Sequence, residues 1–401
     1  MAGQLTFKGY IRPDGGVGIR NRLLVIGVDE CVDGVCRAVA ADYGSEAVVL
    51  TNFVTCMLGG NEELVHNIVG VGKNPNIGAV LVVAMGCGSI LPEDIAAAIA
   101  ESGKPCRAMR VMEQGGSRRA IAHGRALAAE LHGTLARVKR EDAPVSKLVV
   151  GVKCGGSDAS SGLASNPVAG YAADKLLEAG ATVIGGEIIE LIGGEKFMLE
   201  RCVSQAVREK LARIMKAEEA RWSVPGVETE IMSVGNSVGG LTTIEEKTLG
   251  ALHKYGTHPV QDVLEFNKHG IEKPAAPGFY LSEAAHLCGA AGTHFAAMGA
   301  HMIMWTSGGA GFDNQIVPAV RISGNPELFT EDQDIDARAI MEGRATSAEI
   351  GEKLFTRLLE VAGGAATNIE GLAYSYASIY QKDQRLEKYL ESGACPEMSR
   401  H

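Results

Sequence analysis

Residues 147–158 read Lys-Leu-Val-Val-Gly-Val-Lys-Cys-Gly-Gly-Ser-Asp, or KLVVGVKCGGSD. An apolar run of strand length ends here in a lysine, a thiol, two glycines, a hydroxyl and a carboxylate. Glycines admit backbone conformations and close approaches that a β-carbon forbids. The segment that follows, through PVAGYAADKLLEAG, carries a helical pattern, and ATVIGG then reads as another strand. A continuous apolar strand, a glycine-rich loop, a helix and a second strand make a βα unit of a parallel sheet covered on both faces. Ligands of such sheets bind beyond the carboxyl ends of the strands, which is where VKCGGSD falls.

The same alternation runs through the first part of the chain. LLVIGV, AVVLTNF, IGAVLVVAM and CRAMRVM are each followed by a helical segment. EDAPVSK, near residue 144, has the composition of a boundary, so the expected fold is α/β with units over residues 1–145 and 146–401. KFMLERCVSQAVREKLARIMKAEEARW reads as one long helix and VETEIMSVGNSVGGLTT as a loop.

The 401 residues carry a formal net charge of −10, 46% hydrophobic residues, 51 glycines and nine cysteines. The acidic balance argues against nucleic acid as a partner. The scattered, odd-numbered cysteines match no secreted disulfide framework, the N-terminus has no signal-peptide core, and no apolar run reaches membrane-spanning length. A cytoplasmic protein is expected.

Four cysteines, Cys31, Cys56, Cys87 and Cys154, fall at or just past strand ends. Thiolates there could ligate iron or zinc, and three could hold an iron–sulfur cluster with one open iron. Buried structural thiols are the competing reading. GGEIIELIGGE places Glu187 and Glu190 just after a strand, suited to a hard cation or to proton transfer. An acidic helix start explains them equally well. YIRPDGGVGIRN supplies Arg12, Arg20 and Asn21, and arginine forks suit a carboxylate. His286, His294 and His301 match no zinc spacing. No GxGxxG follows the first strand, which disfavours a dinucleotide-dependent dehydrogenase.

In order along the chain, GYIRPDGGVGIRN, NPNIGAVLVVAMGCG, VGVKCGGSDASSGLASNPVAG, EIIELIGGE, GGLTTIEEKTLGALHKYG and MIMWTSGGAGF resemble the altronate/galactarate dehydratase family. That family includes the large subunit of sulfolactate sulfo-lyase. The resemblance implies a Rossmann-like parallel-sheet N-terminal domain followed by a larger α/β catalytic domain. It implies a lyase that eliminates water from a sugar acid or related hydroxy acid, with a divalent metal, Fe2+ or Mn2+. Elimination of sulfite, or a non-catalytic subunit that binds a sugar acid, are the alternatives. The chain starts at the GY…RPDG motif without the small N-terminal domain of the sugar-acid enzymes, and the sulfo-lyases supply its equivalent as a separate subunit. A small partner subunit and an oligomer are therefore expected.

Such an elimination removes a proton beside a carboxylate and places a second negative charge on it as an enediolate. Positive charge must stabilise that species, a base must take the proton, and a departing hydroxyl needs an acid. The expected catalytic set is Lys153, Ser157, Asp158, Glu187 and Glu190. Arg12, Arg20, Asn21, Gly155, Gly156 and Asn166 are the expected substrate contacts. Cys154, Cys87 and Cys56 are the expected metal ligands.

Overall fold

The computed structural model describes residues 5–51, 62–222, 232–267, 269–309, 316–372 and 376–379. Cys56 lies outside the described residues.

Two parallel sheets dominate the α/β architecture. The first contains β3 (Arg22–Gly27), β4 (Ala47–Thr51), β5 (Ile77–Ala84) and β6 (Cys106–Arg110), in the order β4-β3-β5-β6. All six residues of β3 and all eight of β5 are buried, because helices cover both faces of the sheet. The second sheet has seven strands: β8 (Val149–Cys154), β9 (Thr182–Gly185), β10 (Val260–Leu264), β13 (Phe279–Ser282), β14 (Met302–Ser307), β15 (Ala319–Ser323) and β16 (Ile335–Asp336). Their order is β10-β13-β9-β8-β14-β15-β16, and every pairing is parallel. A two-stranded hairpin of β11 (Phe266–Asn267) and β12 (Gly270–Ile271) sits apart from it.

The chain leaves β8 toward β9 on one side and returns to β14 on the other. This reversal leaves a crevice above the carboxyl end of β8, the usual place for a ligand in an open parallel sheet. The register sets Lys153 beside Trp305, Cys154 beside Thr306 and Val152 beside Gly185.

A shared apolar core joins the two sheets. Leu24, Ile26, Val80 and Val82 of the first pack in one cluster with Ile303 and Trp305 of the second and with Phe295 of the helix Cys288–Ala297. The helices Glu62–Gly72 and Cys288–Ala297 meet there so closely that a β-carbon at Gly70 would lie 3.0 Å from the Ala297 β-carbon.

Three stretches carry structure that the sequence reading did not include. The EDAPVSK segment is not a bare boundary: β7 (Glu141–Pro144) pairs antiparallel with β1 (Thr6–Ile11), which also pairs with β2 (Val17–Gly18). The expected long helix is interrupted between Glu195–Leu199 and Gln205–Trp222, because Cys202 bridges Val260 and the Val203 amide donates to the Val260 carbonyl at 3.1 Å. In the expected loop, a short helix runs over Val234–Val238.

Glu370 ties the C-terminal part of the chain to the first unit. It accepts from Arg20 at 2.5 and 2.7 Å and also from Arg22, and all three side chains are largely buried. Burial alone would raise the Glu370 carboxyl; the Arg20 hydrogen bond and the Arg22 charge outweigh it and hold the group below its usual range. Glu370→Gln keeps the shape and strands two buried guanidinium groups. Its expected cost is about 3–5 kcal/mol, the usual penalty for breaking a buried pair from one side. Denaturant unfolding measures this, and a loss under ~1 kcal/mol would show the clamp to be dispensable.

Candidate active site

At the carboxyl end of β8, the chain turns through Gly155 and Gly156 and buries the side chains of Lys153, Cys154, Ser157 and Asp158. Lys153 is 1% exposed, and its ammonium group donates to Glu187 Oε1 at 2.6 Å and to the Cys154 carbonyl. Glu187 Oε2 accepts from the Cys154 amide at 2.7 Å. Glu187 enters from the end of β9 with φ 66°, the only non-glycine residue with positive φ among those described. A backbone held in that region costs energy and concentrates at functional positions.

A second lysine completes the array. Lys254, 0% exposed, pairs with Glu187 at 3.2 Å and also with Glu190. Glu190 lies in the tight turn Ile188–Leu191, so the two carboxylates converge on one ammonium group as the acidic spacing requires. Lys247 approaches Glu190 Oε1 at 3.9 Å from the helix Ile244–Leu252.

The charges of Lys153, Glu187 and Lys254 are locked. For Glu187, burial would raise the carboxyl, but the Lys153 and Lys254 charges prevail and bring it down to about 2. Burial would deprotonate both lysines; Glu187 holds Lys153 above its usual value, and Glu190 leads in holding Lys254 well above it. Lys153 is therefore a fixed cation, suited to stabilising negative charge rather than to taking a proton. Cys154 is pushed up to about 12 by burial, then by Glu190, and its Sγ lies 2.7 Å from Ser157 Oγ. It is a thiol at neutral pH.

His286 follows β13, on the opposite side of β9 from β8. Burial lowers its pKa below 6.5; Glu187 works against this and Lys153 with it. The ring packs edge-on against Trp222, with centroids 4.5 Å apart. A half-buried neutral imidazole beside fixed cations has the lone pair that a base requires. Histidine spacing carried no signal for it, since its neighbours come from distant strands.

Asp158 closes the loop instead of facing a ligand. Its Oδ1 accepts from Ser160 Oγ at 2.7 Å and from the Ser161 amide at 2.8 Å, and its Oδ2 accepts from Asn325 at 2.7 Å. A β-carbon at Gly308 would sit 1.9 Å from Oδ2, so that glycine makes room for the clasp. Asn166 begins the helix Asn166–Glu178 after a π-helical turn over Ser161–Ser165 and donates to the Gly250 carbonyl at 3.0 Å.

The structure does not bring Arg12, Arg20 and Asn21 to the array. Arg12 donates to the Pro75 carbonyl at 2.7 Å, to Asn21 Oδ1 at 2.8 Å and to the Arg20 carbonyl at 2.9 Å. Arg20 is occupied by Glu370, and Asn21 donates to the Leu135 carbonyl at 3.0 Å. The arginine fork found a carboxylate, but one belonging to the protein. Cys31 and Cys87 are exposed beyond the adjacent strands β3 and β5, whereas Cys154 ends a strand of the other sheet. Among the described residues, no three His, Cys, Asp or Glu side chains are grouped to hold a metal ion.

An α/β chain with buried lysines and carboxylates at a strand-switch crevice is equipped for carbanion chemistry beside a carboxylate. Two family models match it: "D-galactarate dehydratase/Altronate hydrolase, second domain" over residues 9–136 and "D-galactarate/Altronate dehydratase, C-terminal" over residues 145–384. The chain belongs to the D-galactarate/altronate dehydratase family. It is similar to (2R)-sulfolactate sulfo-lyase subunit beta of Chromohalobacter salexigens, 33% identical over 92% of this chain and 95% of that one. It is also similar to altronate dehydratase of Bacillus subtilis, 29% identical over 94% of this chain and 78% of that one. A third relative is galactarate dehydratase (L-threo-forming) of Escherichia coli, 30% identical over 90% of this chain and 73% of that one. Lyase chemistry is common to the three names. No helix among the described residues is long and apolar enough to cross a membrane.

Proposed function

We propose that this chain is a hydro-lyase that removes water from a sugar acid or closely related hydroxy acid. The observation that carries the reading is the buried Lys153–Glu187–Lys254–Glu190 array in the switch-point crevice. Removing the proton beside the substrate carboxylate builds an enediolate. Lys153 and Lys254 supply fixed positive charge for it without reorganisation during the reaction. His286, held neutral, takes the proton, and Ser157 with the amide of Gly156 lines the approach, the Gly155 amide being spent on the Thr306 carbonyl. The imidazolium so formed returns that proton to the neighbouring hydroxyl, which leaves as water, and the resulting enol tautomerises to the 2-keto-3-deoxy acid.

A divalent metal, Fe2+ or Mn2+, or an iron–sulfur cluster, is another way to stabilise such charge. The described side chains do not fit one: Glu187 and Glu190 are engaged by lysines, Asp158 by three donors and Cys154 Sγ by Ser157 Oγ, and no three ligating side chains are grouped among them. No step is derived through a metal.

Sulfite elimination is a second reading, supported by the 33% identity to a sulfo-lyase subunit. Sulfite leaves without the protonation that a hydroxyl requires. That relative is named as one subunit of an assembly, and we extend a partner subunit to this chain as well. The test is the purified chain with altronate, galactarate and sulfolactate, alone and with the product of a small co-transcribed reading frame. Keto-acid formation from a sugar acid, raised at least tenfold by the small chain, is the expected result. Release of sulfite would favour the second reading, and no turnover of any acid in either mixture would end both.

A further inference from the structure

His286 stands in the connection between β13 and the helix Cys288–Ala297, outside either element. A histidine that moves protons is usually oriented through a hydrogen bond at its second ring nitrogen. Among the described residues no hydrogen bond holds this imidazole, and the edge-on contact with Trp222 stands in its place. Charged groups reach the ring from two sides: Lys153, Glu187 and Glu190 from the array, and Glu218 from the helix that carries Trp222.

Trp222 is itself fixed. It is the last residue of the helix Gln205–Trp222, which buries Leu211, Ile214 and Met215. Lys210 of that helix pairs with Asp262 of β10 at 3.3 Å and with Glu272 at 2.9 Å, and Arg213 pairs with Glu265 at 2.6 Å. The helix is thereby pinned beside β10, the strand next to β13. The indole N–H donates to Glu218 Oε1 at 3.0 Å, one turn back, while Glu218 Oε2 pairs with Arg221 at 3.2 Å. The rotation of the indole is therefore set by its own helix.

We infer that Trp222 is a positioning residue for the proton-transfer step: Glu218 fixes the indole, and the indole fixes the imidazole of His286 in its working orientation. The inference rests on the assignment of His286 as the base. An aromatic pair of this kind favours one orientation by about two- to tenfold. A base that has lost its orientation reacts from fewer of its conformers, so the loss falls on kcat rather than on substrate binding.

The test follows tryptophan emission and kcat against pH on the full chain, with altronate or galactarate as substrate and the small partner chain present. An imidazolium against an indole quenches it, so wild-type emission should fall with the apparent pKa of the acid limb of kcat. The other of the two tryptophans, Trp305, is 0% exposed and lies 5.4 Å from the Lys153 ammonium, whose charge is constant in that window. The step should vanish in Trp222→Phe and in His286→Gln. Trp222→Leu is expected to lower kcat about tenfold with KM little changed, and Trp222→Phe, which keeps an aromatic ring, to restore most of it. Glu218 separates orientation from charge. Its carboxylate favours the imidazolium, so Glu218→Gln and Glu218→Leu should both carry the limb to lower pH. Only the leucine, which cannot accept from the indole, should lower the plateau. Wild-type emission without the step, or a step that persists in His286→Gln, overturns the inference even if the Trp222 variants fail to fold. So does an unchanged plateau in folded Trp222→Leu. An acid limb lost in His286→Gln, with no emission step in wild type, overturns the positioning role alone. An emission step beside a limb that survives His286→Gln removes the base assignment and the inference with it.

Discussion

Lys153→Met is expected to lower turnover by about 10²–10⁴-fold and to destabilise the fold by about 3–5 kcal/mol at the same time. The first figure is the usual cost of losing a group that stabilises transition-state charge. The second follows from burial. Lys153 and Glu187 are 1% and 3% exposed, and removing the ammonium leaves the carboxylate with Lys254 and one backbone amide. A loss of activity could then be blamed on a loosened fold. The double variant Lys153→Met/Glu187→Leu separates the two effects, because replacing both members of a buried pair by apolar groups is often neutral or stabilising. Melting should recover most of the deficit in the double variant, while turnover stays down. Recovery of turnover together with stability would show that Lys153 acts only by holding the fold. Turnover within a few-fold of wild type in the single variant would remove it from the chemistry.

Much of this architecture could be read from local pattern. β8 is buried on both faces, so it had to be a continuous apolar run. Glu187 and Glu190 stood out because their spacing is local. Lys254 did not. It closes the helix that starts with the TTIEE cap, and its partners lie 67 and 64 residues away, across two strands of the sheet. Nothing in HKYG distinguishes a fully buried ammonium from a surface one; only the tertiary fold supplies the carboxylates. The same distance effect misdirected the reading of Arg20. Its fork has the chemistry of carboxylate recognition, but Glu370 lies 350 residues downstream, and no sequence spacing reveals that the protein satisfies the fork itself. The cysteines show the converse: their positions at strand ends are regular, yet Cys87 and Cys154 end strands of different sheets.

His286 carries the sharpest test of the proton-transfer assignment. A base must be unprotonated to work, and burial, the larger influence on this ring, lowers its pKa below 6.5, with the Lys153 charge acting in the same sense. The sign follows directly: the competent neutral form predominates at pH 7 and is lost as pH falls through a value under 6.5. kcat should therefore be flat near neutrality and decline on the acid side with a slope of one, at an apparent pKa below that of a free imidazole. Lys153 and Lys254 are both held above the lysine range, and Glu187 stays ionised down to about 2, so neither kind of group supplies a limb in that window. His286→Gln keeps a polar side chain against Trp222 and should cost about 10²–10⁴-fold in kcat while abolishing the acid limb. In Lys153→Met the neighbouring cation is gone, so the imidazole pKa should rise and carry the limb toward neutrality in whatever activity remains. A wild-type acid limb that persists in His286→Gln would assign the base elsewhere.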